Sequence, residues 1–169
     1  MTPEIVKDLY AYDSWANRRT FEACAALTPE QFTHNLGNSF PSVRDTLAHI
    51  VGAQFVWLER FYGRVPPGLL PAADFPNIAA VTSKLNELQA RLTEYVGGLS
   101  ADDLRANFSY RDLKGREHGN MRWHVLQHLA NHGTYHRGQI TTMLRQLAAK
   151  PVSTDLIAFY RERASAAAN

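Results

Sequence analysis

The chain has 169 residues, the size of one domain with a sizeable core, so a single domain over 1–169 is expected. Apolar residues make up 45% and charged residues 20%, which fits a soluble globular protein and excludes a disordered one. A net charge of +2 gives no electrostatic case for nucleic-acid binding, and the single cysteine, Cys24, excludes an internal disulfide and any Cys-rich zinc site.

The N-terminal stretch MTPEIVKDLYAYD is too polar for a signal peptide, and no apolar run approaches the roughly 20 residues of a membrane span. A cytoplasmic location without a membrane partner is the expectation. Thr2-Pro3-Glu4 is a helix start: a capping hydroxyl, proline at the first helical position, and an acid near the positive end of the dipole. That helix should run to about Leu27 and bury Cys24 as a structural thiol, and Thr28-Pro29-Glu30-Gln31 opens another helical turn. Ser42 with Asp45 three residues on resembles a capping box and predicts a second long helix from Ser42 to Tyr62, stopped by Gly63.

Residues 63–76, GRVPPGLLPAADFP, carry four prolines and two glycines and read as a long crossover loop. Asn77 can cap a third helix to Val96, with Val81, Leu85, Leu88, Leu92 and Val96 as its apolar stripe. Ser100 opens a short turn of helix near Ala101 to Leu104. The stretch around Lys114-Gly115 reads as a small hairpin or an extended loop. A fourth long helix is expected from Met121 to Ala149, ended by Lys150-Pro151. Thr154 then caps a last helix from Asp155 to Arg163, followed by a fraying ASAAAN tail. Four long helices with one long crossover predict an all-α fold, a four-helix bundle with small extra helices.

The fourth helix carries His128, His132 and His136 at intervals of four. A step of four turns a side chain by about 40° and raises it by about 6 Å, so neighbouring imidazoles can close on one ion, whereas the outer pair lies about 12 Å apart. His132 and His136 fall on or beside the face formed by Leu126, Leu129, Ile140, Met143 and Leu144, and His128 lies further round. Gly133 between them would let another group approach closely. Two common metal patterns are absent: Gly133 follows His132 where a zinc-protease helix has glutamate, and no glutamate precedes a histidine by three as in di-iron bundles. A carboxylate-poor, His-rich mononuclear site remains, suited to zinc, nickel, iron or copper. A third ligand must come from elsewhere. His34, His118, His124 and His49 are available, and periodicity does not favour His49, which points away from Leu47, Val51 and Leu58 and shares its face with Ala53 and Val56.

The phrases YAYDSWANRR, SVRDTLAHIVGAQFVWLER, NHGTYHRGQITTMLRQL and PVSTDLIAFYRE resemble, over nearly the whole chain, the DinB-like, YfiT-like family of metal-dependent four-helix proteins from bacteria. NHGTYHRGQ is the most specific of them. The family shares only its name with the DinB translesion polymerase. The resemblance implies an up-up-down-down four-helix bundle. It also implies a metal triad of one histidine from the second helix and a His-x-x-x-His pair from the fourth, which here are His49, His132 and His136. His128 matches no ligand position. Active members are mostly thiol-dependent transferases or isomerases that use low-molecular-weight bacterial thiols, and homodimers are common among them.

The chain is therefore expected to use a divalent transition metal (zinc, nickel or iron), together with a low-molecular-weight thiol, on a small-molecule substrate. Three histidine ligands leave a coordination position open for water or a thiolate, as in a catalytic site, so a thiol-dependent transferase, isomerase or hydrolase is the leading reading. A non-catalytic metal-binding or stress-response bundle is the alternative. Tyr12, Trp15, Asn131 and Tyr135 could line a pocket or simply pack, and Arg137 could meet an anionic substrate or make a surface ion pair. Trp57 and Phe61 could supply the contact surface of a homodimer.

Overall fold

Local capping chemistry sets the helix starts in the computed structural model, which describes residues 1–167. Thr2 Oγ1 accepts from the Ile5 amide at the start of α1 (Pro3–Cys24). Thr28 and Gln31 form a reciprocal capping box on the short α2 (Pro29–Thr33). Ser42 caps α3 (Val43–Phe61), and Asn77 accepts from the Ala80 amide to open α4 (Ile78–Gly97). A second box, Ser100 with Asp103, opens α5 (Ala101–Arg105). Each such cap contributes about 1 kcal/mol and places the first residue of its helix.

The hairpin is formed, with β1 (Asn107–Arg111) antiparallel to β2 (Glu117–Met121) and Tyr110 opposite His118. Phe108 packs against Phe61 and Tyr110 against Trp57, so the hairpin lies over the C-terminal end of α3. The chain then passes directly from β2 into α6 (Arg122–Gln146), which has no side-chain cap. The expected end at Ala149 is three residues too late. The Ala149 amide reaches back to the Leu144 carbonyl and the Ala148 amide to that of Arg145, a Schellman closure that puts Ala148 at φ 54°. The last helix, α7 (Leu156–Ala167), is longer than expected and packs on α1 through Phe159, Tyr12 and Trp15. The rest of the expected fraying tail lies outside the described residues.

The long helices α1, α3, α4 and α6 form the bundle, with most of the buried apolar side chains in one cluster between them. All five stripe residues of α4 are buried, each stabilising the fold by roughly 1.5–3 kcal/mol. Cys24 is buried as expected, and burial pushes its thiol up to about 12. Phe61 is also in the core, stacked on Tyr95, and Trp57 is half covered by the hairpin; Phe61 therefore offers no free contact face.

The helix directions differ from the up-up-down-down order. On α1 and α6, Tyr10 pairs with Leu126 and Asn17 with Arg137, so these two helices run parallel. On α3 and α6, Thr46 meets Met143 while Trp57 meets His128, so this pair is antiparallel. Phe55 neighbours Lys84 and Phe61 neighbours Tyr95, which makes α3 and α4 parallel. The order is up-down-down-up. One crossover allows only one consecutive parallel pair, and the 63–76 loop supplies it between α3 and α4; up-up-down-down would need a second.

The α1–α6 contact is built on buried charge. Arg137 is 1% exposed, and its Nη1 donates to Asp13 Oδ1 at 2.6 Å and to Asn17 Oδ1 at 2.8 Å. Asn17 and Gln54 donate to the other carboxylate oxygen, and Arg137 Nη2 donates to Thr134. Arg137 is thus neither a surface ion pair nor a substrate ligand. It follows a ligand candidate in sequence, but its side chain leaves α6 on the opposite side, toward α1. Gly133 gives the pair its room: a Cβ there would lie 2.8 Å from both Arg137 Nη1 and Asp13 Oδ1.

Gly133→Ala is expected to destabilise the protein by about 1–3 kcal/mol, because neither partner can move without breaking the network. Urea unfolding monitored by circular dichroism measures this, and an unchanged midpoint would count against the tight packing. Ala148→Gly should act in the opposite direction, by about 0.5–1 kcal/mol, by removing the left-handed strain on a non-glycine residue.

Candidate metal centre

The antiparallel packing of α3 on α6 brings His49 to the His132–His136 pair. His49 Nε2 lies 3.0 Å from His132 Nε2, and His136 Nε2 lies 3.0 Å from the same atom. All three donor atoms fall within 4.8 Å of one another, so the three side chains could hold one metal ion. His49 and His132 are half-buried and His136 is buried, so the group sits at the edge of the bundle with one side toward solvent.

Hydrogen-bond counting shows how these residues fit an ion. His136 Nδ1 lies 2.7 Å from the Gln139 amide oxygen, which can only accept, so the proton belongs on Nδ1 and Nε2 presents its lone pair to the centre. His132 Nε2 faces two other Nε2 atoms, and a single N–H there can satisfy only one of them. Protons alone leave this cluster short of donors, whereas one cation at its middle would accept all three lone pairs.

Electrostatics keeps the rings neutral, the form that binds metal. Burial, with His136 beside it, pushes His49 down to about 4. Burial, then His136, His49 and His128, push His132 down to about 3. Burial also lowers His136, against the pull of its Gln139 partner.

Two residues of the centre were not legible in the sequence. Phe40, in the loop before α3, stacks on His49 at 4.2 Å between centroids and presents an edge to His136. Its position two residues before a helix cap carries no signal for such a role. Gln139 could have been found, because three residues after a ligand on the same helix is the reach of a supporting side chain.

His128 is exposed; its ring is 6.0 Å from that of His132, and it packs on Trp57 as a neighbour of the triad. Tyr135 is exposed at the rim, 5.0 Å from the His136 ring, and Asn131 is exposed. Tyr12 and Trp15 pack with Phe159 on the α1–α7 side and line no space at the triad. His34 and His124 are exposed elsewhere, and His118 pairs with Asp112 on the hairpin.

The family model described as "DinB family" matches residues 2–164. The chain belongs to the DinB family. It is 31% identical over 154 residues to "Protein DinB" of Bacillus subtilis (strain 168), covering 87% of this chain and 88% of that one. Its fold is similar to the crystal structure of a DinB-like protein from Bacillus cereus ATCC 10987, with a TM-score of 0.63 at 18% identity, over 82% of this chain and 90% of that one. Membership agrees with the resemblance read from the sequence, and the helical fold is that of a DinB-like structure. No helix among the described residues is long and apolar enough to cross a membrane.

The depressed histidines link stability to pH. The unfolded chain titrates these rings near their ordinary value of 6.5, whereas the folded chain takes up protons on His49 and His132 only near 4 and 3. Between those values the unfolded state binds more protons, so stability falls as pH drops below about 6.5. Metal-stripped protein should lose urea resistance steadily from pH 7 to pH 4, with a shallower decline for His132→Ala. Parallel declines for the two would show that His132 is not held neutral.

Proposed function

We propose that His49, His132 and His136 bind one divalent transition metal ion and that this DinB-family chain is a metal-dependent enzyme acting on a small molecule, of the thiol-dependent transferase or hydrolase type. The observation that carries this is the meeting of three neutral imidazole nitrogens from two antiparallel helices, with His132 Nε2 3.0 Å from each of the other two and the cluster short of donors. An all-imidazole donor set favours zinc, nickel or iron over calcium or magnesium. Three protein ligands leave at least one position open, the arrangement of catalytic rather than closed structural sites. When bound, such an ion supplies Lewis acidity that lowers the pKa of a water or thiol held at that position.

The surrounding residues have definable tasks. Gln139 fixes the His136 ring in the tautomer that turns Nε2 inward. Phe40 covers His49 and shields one side of the triad from water. The half-buried faces of His49 and His132 leave the other side accessible to a small molecule. A storage or sensing protein would need no open position, and for that reason the catalytic reading is preferred.

Protein purified without a histidine tag should carry about one ion of zinc, nickel or iron per chain by mass spectrometry of the metal content. His132→Ala should carry almost none, and Gln139→Ala should bind about 10- to 100-fold more weakly. Absence of stoichiometric uptake across zinc, nickel, iron and manganese would end the metal reading. Metal-loaded protein should then speed the reaction of a small thiol with a model electrophile, and His49→Ala should abolish that increase. Full metal binding with no such rate increase, and none in hydrolysis of model esters, would leave a binding protein instead.

A further inference from the structure

Only two arginines are buried among the described residues, and they differ in one respect. Arg137 has Asp13, whereas Arg60, only 9% exposed, has no carboxylate at ion-pair distance among the described residues; the Nε of each is buried without a hydrogen-bond partner. The Arg60 guanidinium instead lies over the ring of Trp57 at 4.6 Å and near that of Tyr110 at 5.4 Å. It borders a cavity of about 540 Å³ between the hairpin and the crossover loop, lined also by Arg64, Val65, Tyr110, Arg111 and His118.

The charges around this cavity are mostly spoken for. Arg64 is paired with Glu59 and Arg111 with Glu117. Asp112, the carboxylate that acts on Arg60 through space, already accepts from Arg116 and from the amides of Lys114 and Arg116, with His118 at 3.1 Å. The C-terminal end of α3 favours a cation in its last turn but supplies no anion. A desolvated, planar and unpaired guanidinium at a cavity wall is suited to an oxyanion from outside, because two parallel N–H groups can meet two oxygens.

We propose that this cavity is an anion-binding subsite in which Arg60 anchors the carboxylate or phosphate of a small ligand, with Trp57 and Tyr110 holding the guanidinium in place. The subsite stands without any metal. A second cavity, of about 260 Å³, lies beside it, lined by Trp57, Tyr110, Asn120, His124, Val125 and His128, and shares Tyr110 with the first. The His128 ring is 6.0 Å from that of His132. The second cavity, which includes His128 in its lining, would take the far end of a ligand held at Arg60 toward the triad, and this last link alone rests on the proposed function.

Calorimetric titration of metal-stripped protein with inorganic phosphate and, separately, with succinate tests the subsite. Saturable binding is expected for at least one of them, and the stronger arm distinguishes phosphate from carboxylate recognition. Arg60→Gln should weaken it about tenfold or more, Arg60→Lys should weaken it less, and His132→Ala should leave it unchanged. Nitrogen-15 spectra of the wild type provide a reading that needs no variant: the Arg60 Nε–H and Trp57 indole signals should shift on titration. The proposal is overturned if neither anion binds, if those signals stay fixed at saturation, or if binding survives Arg60→Gln undiminished. Unchanged anion binding alongside failed metal uptake would sink only the proposed function.

Discussion

The ion pair between Asp13 and Arg137 fixes the register of α6, and the placement of the histidines follows from that register. Arg137 adjoins His136 in sequence but points the other way, into a network of Asn17, Thr134 and Gln54. Burying two charges costs several kcal/mol per ion unless each finds good partners, so rotating or sliding α6 would expose that cost in full. The helix is thereby held in one orientation, with His132 and His136 turned toward α3. Gly133 belongs to the same constraint, since it makes space for the pair at the height where the two histidines leave the other side.

The histidine centre inherits this rigidity. Gln139 and Phe40 restrain the His136 and His49 rings from different segments, α6 and the loop before α3. Few rotamer choices remain for the triad, so little conformational entropy is left to lose when a ligand arrives. The His49 Nδ1 atom is the exception, buried without a partner, and marks a place where packing has been favoured over hydrogen bonding.

Much of the fold was legible because its signals are local. Thr2, Ser42, Asn77 and Ser100 announce helix starts within four residues, and the α4 stripe repeats at helical spacing on a helix with one buried face. His49 was illegible from periodicity because α3 is buried on nearly every side, so its apolar pattern selects no single face. The family resemblance supplied it instead. Arg137 was misread because its partner lies 124 residues away, a separation at which spacing carries no information. The same resemblance misdirected the helix order, which the count of long loops alone could have corrected.

The up-down-down-up order divides the triad in a particular way. The 63–76 loop joins two segments, one carrying α1 and α3 and the other α4 and α6. Within each segment the two long helices sit diagonally, because α1 packs on α4 and α6 while α3 packs on the same two. Neither segment can close a core alone, and neither holds more than part of the centre, with His49 on one and His132 and His136 on the other. Completion of the triad is therefore a report on long-range assembly: the three rings meet only after both halves of the chain have interleaved.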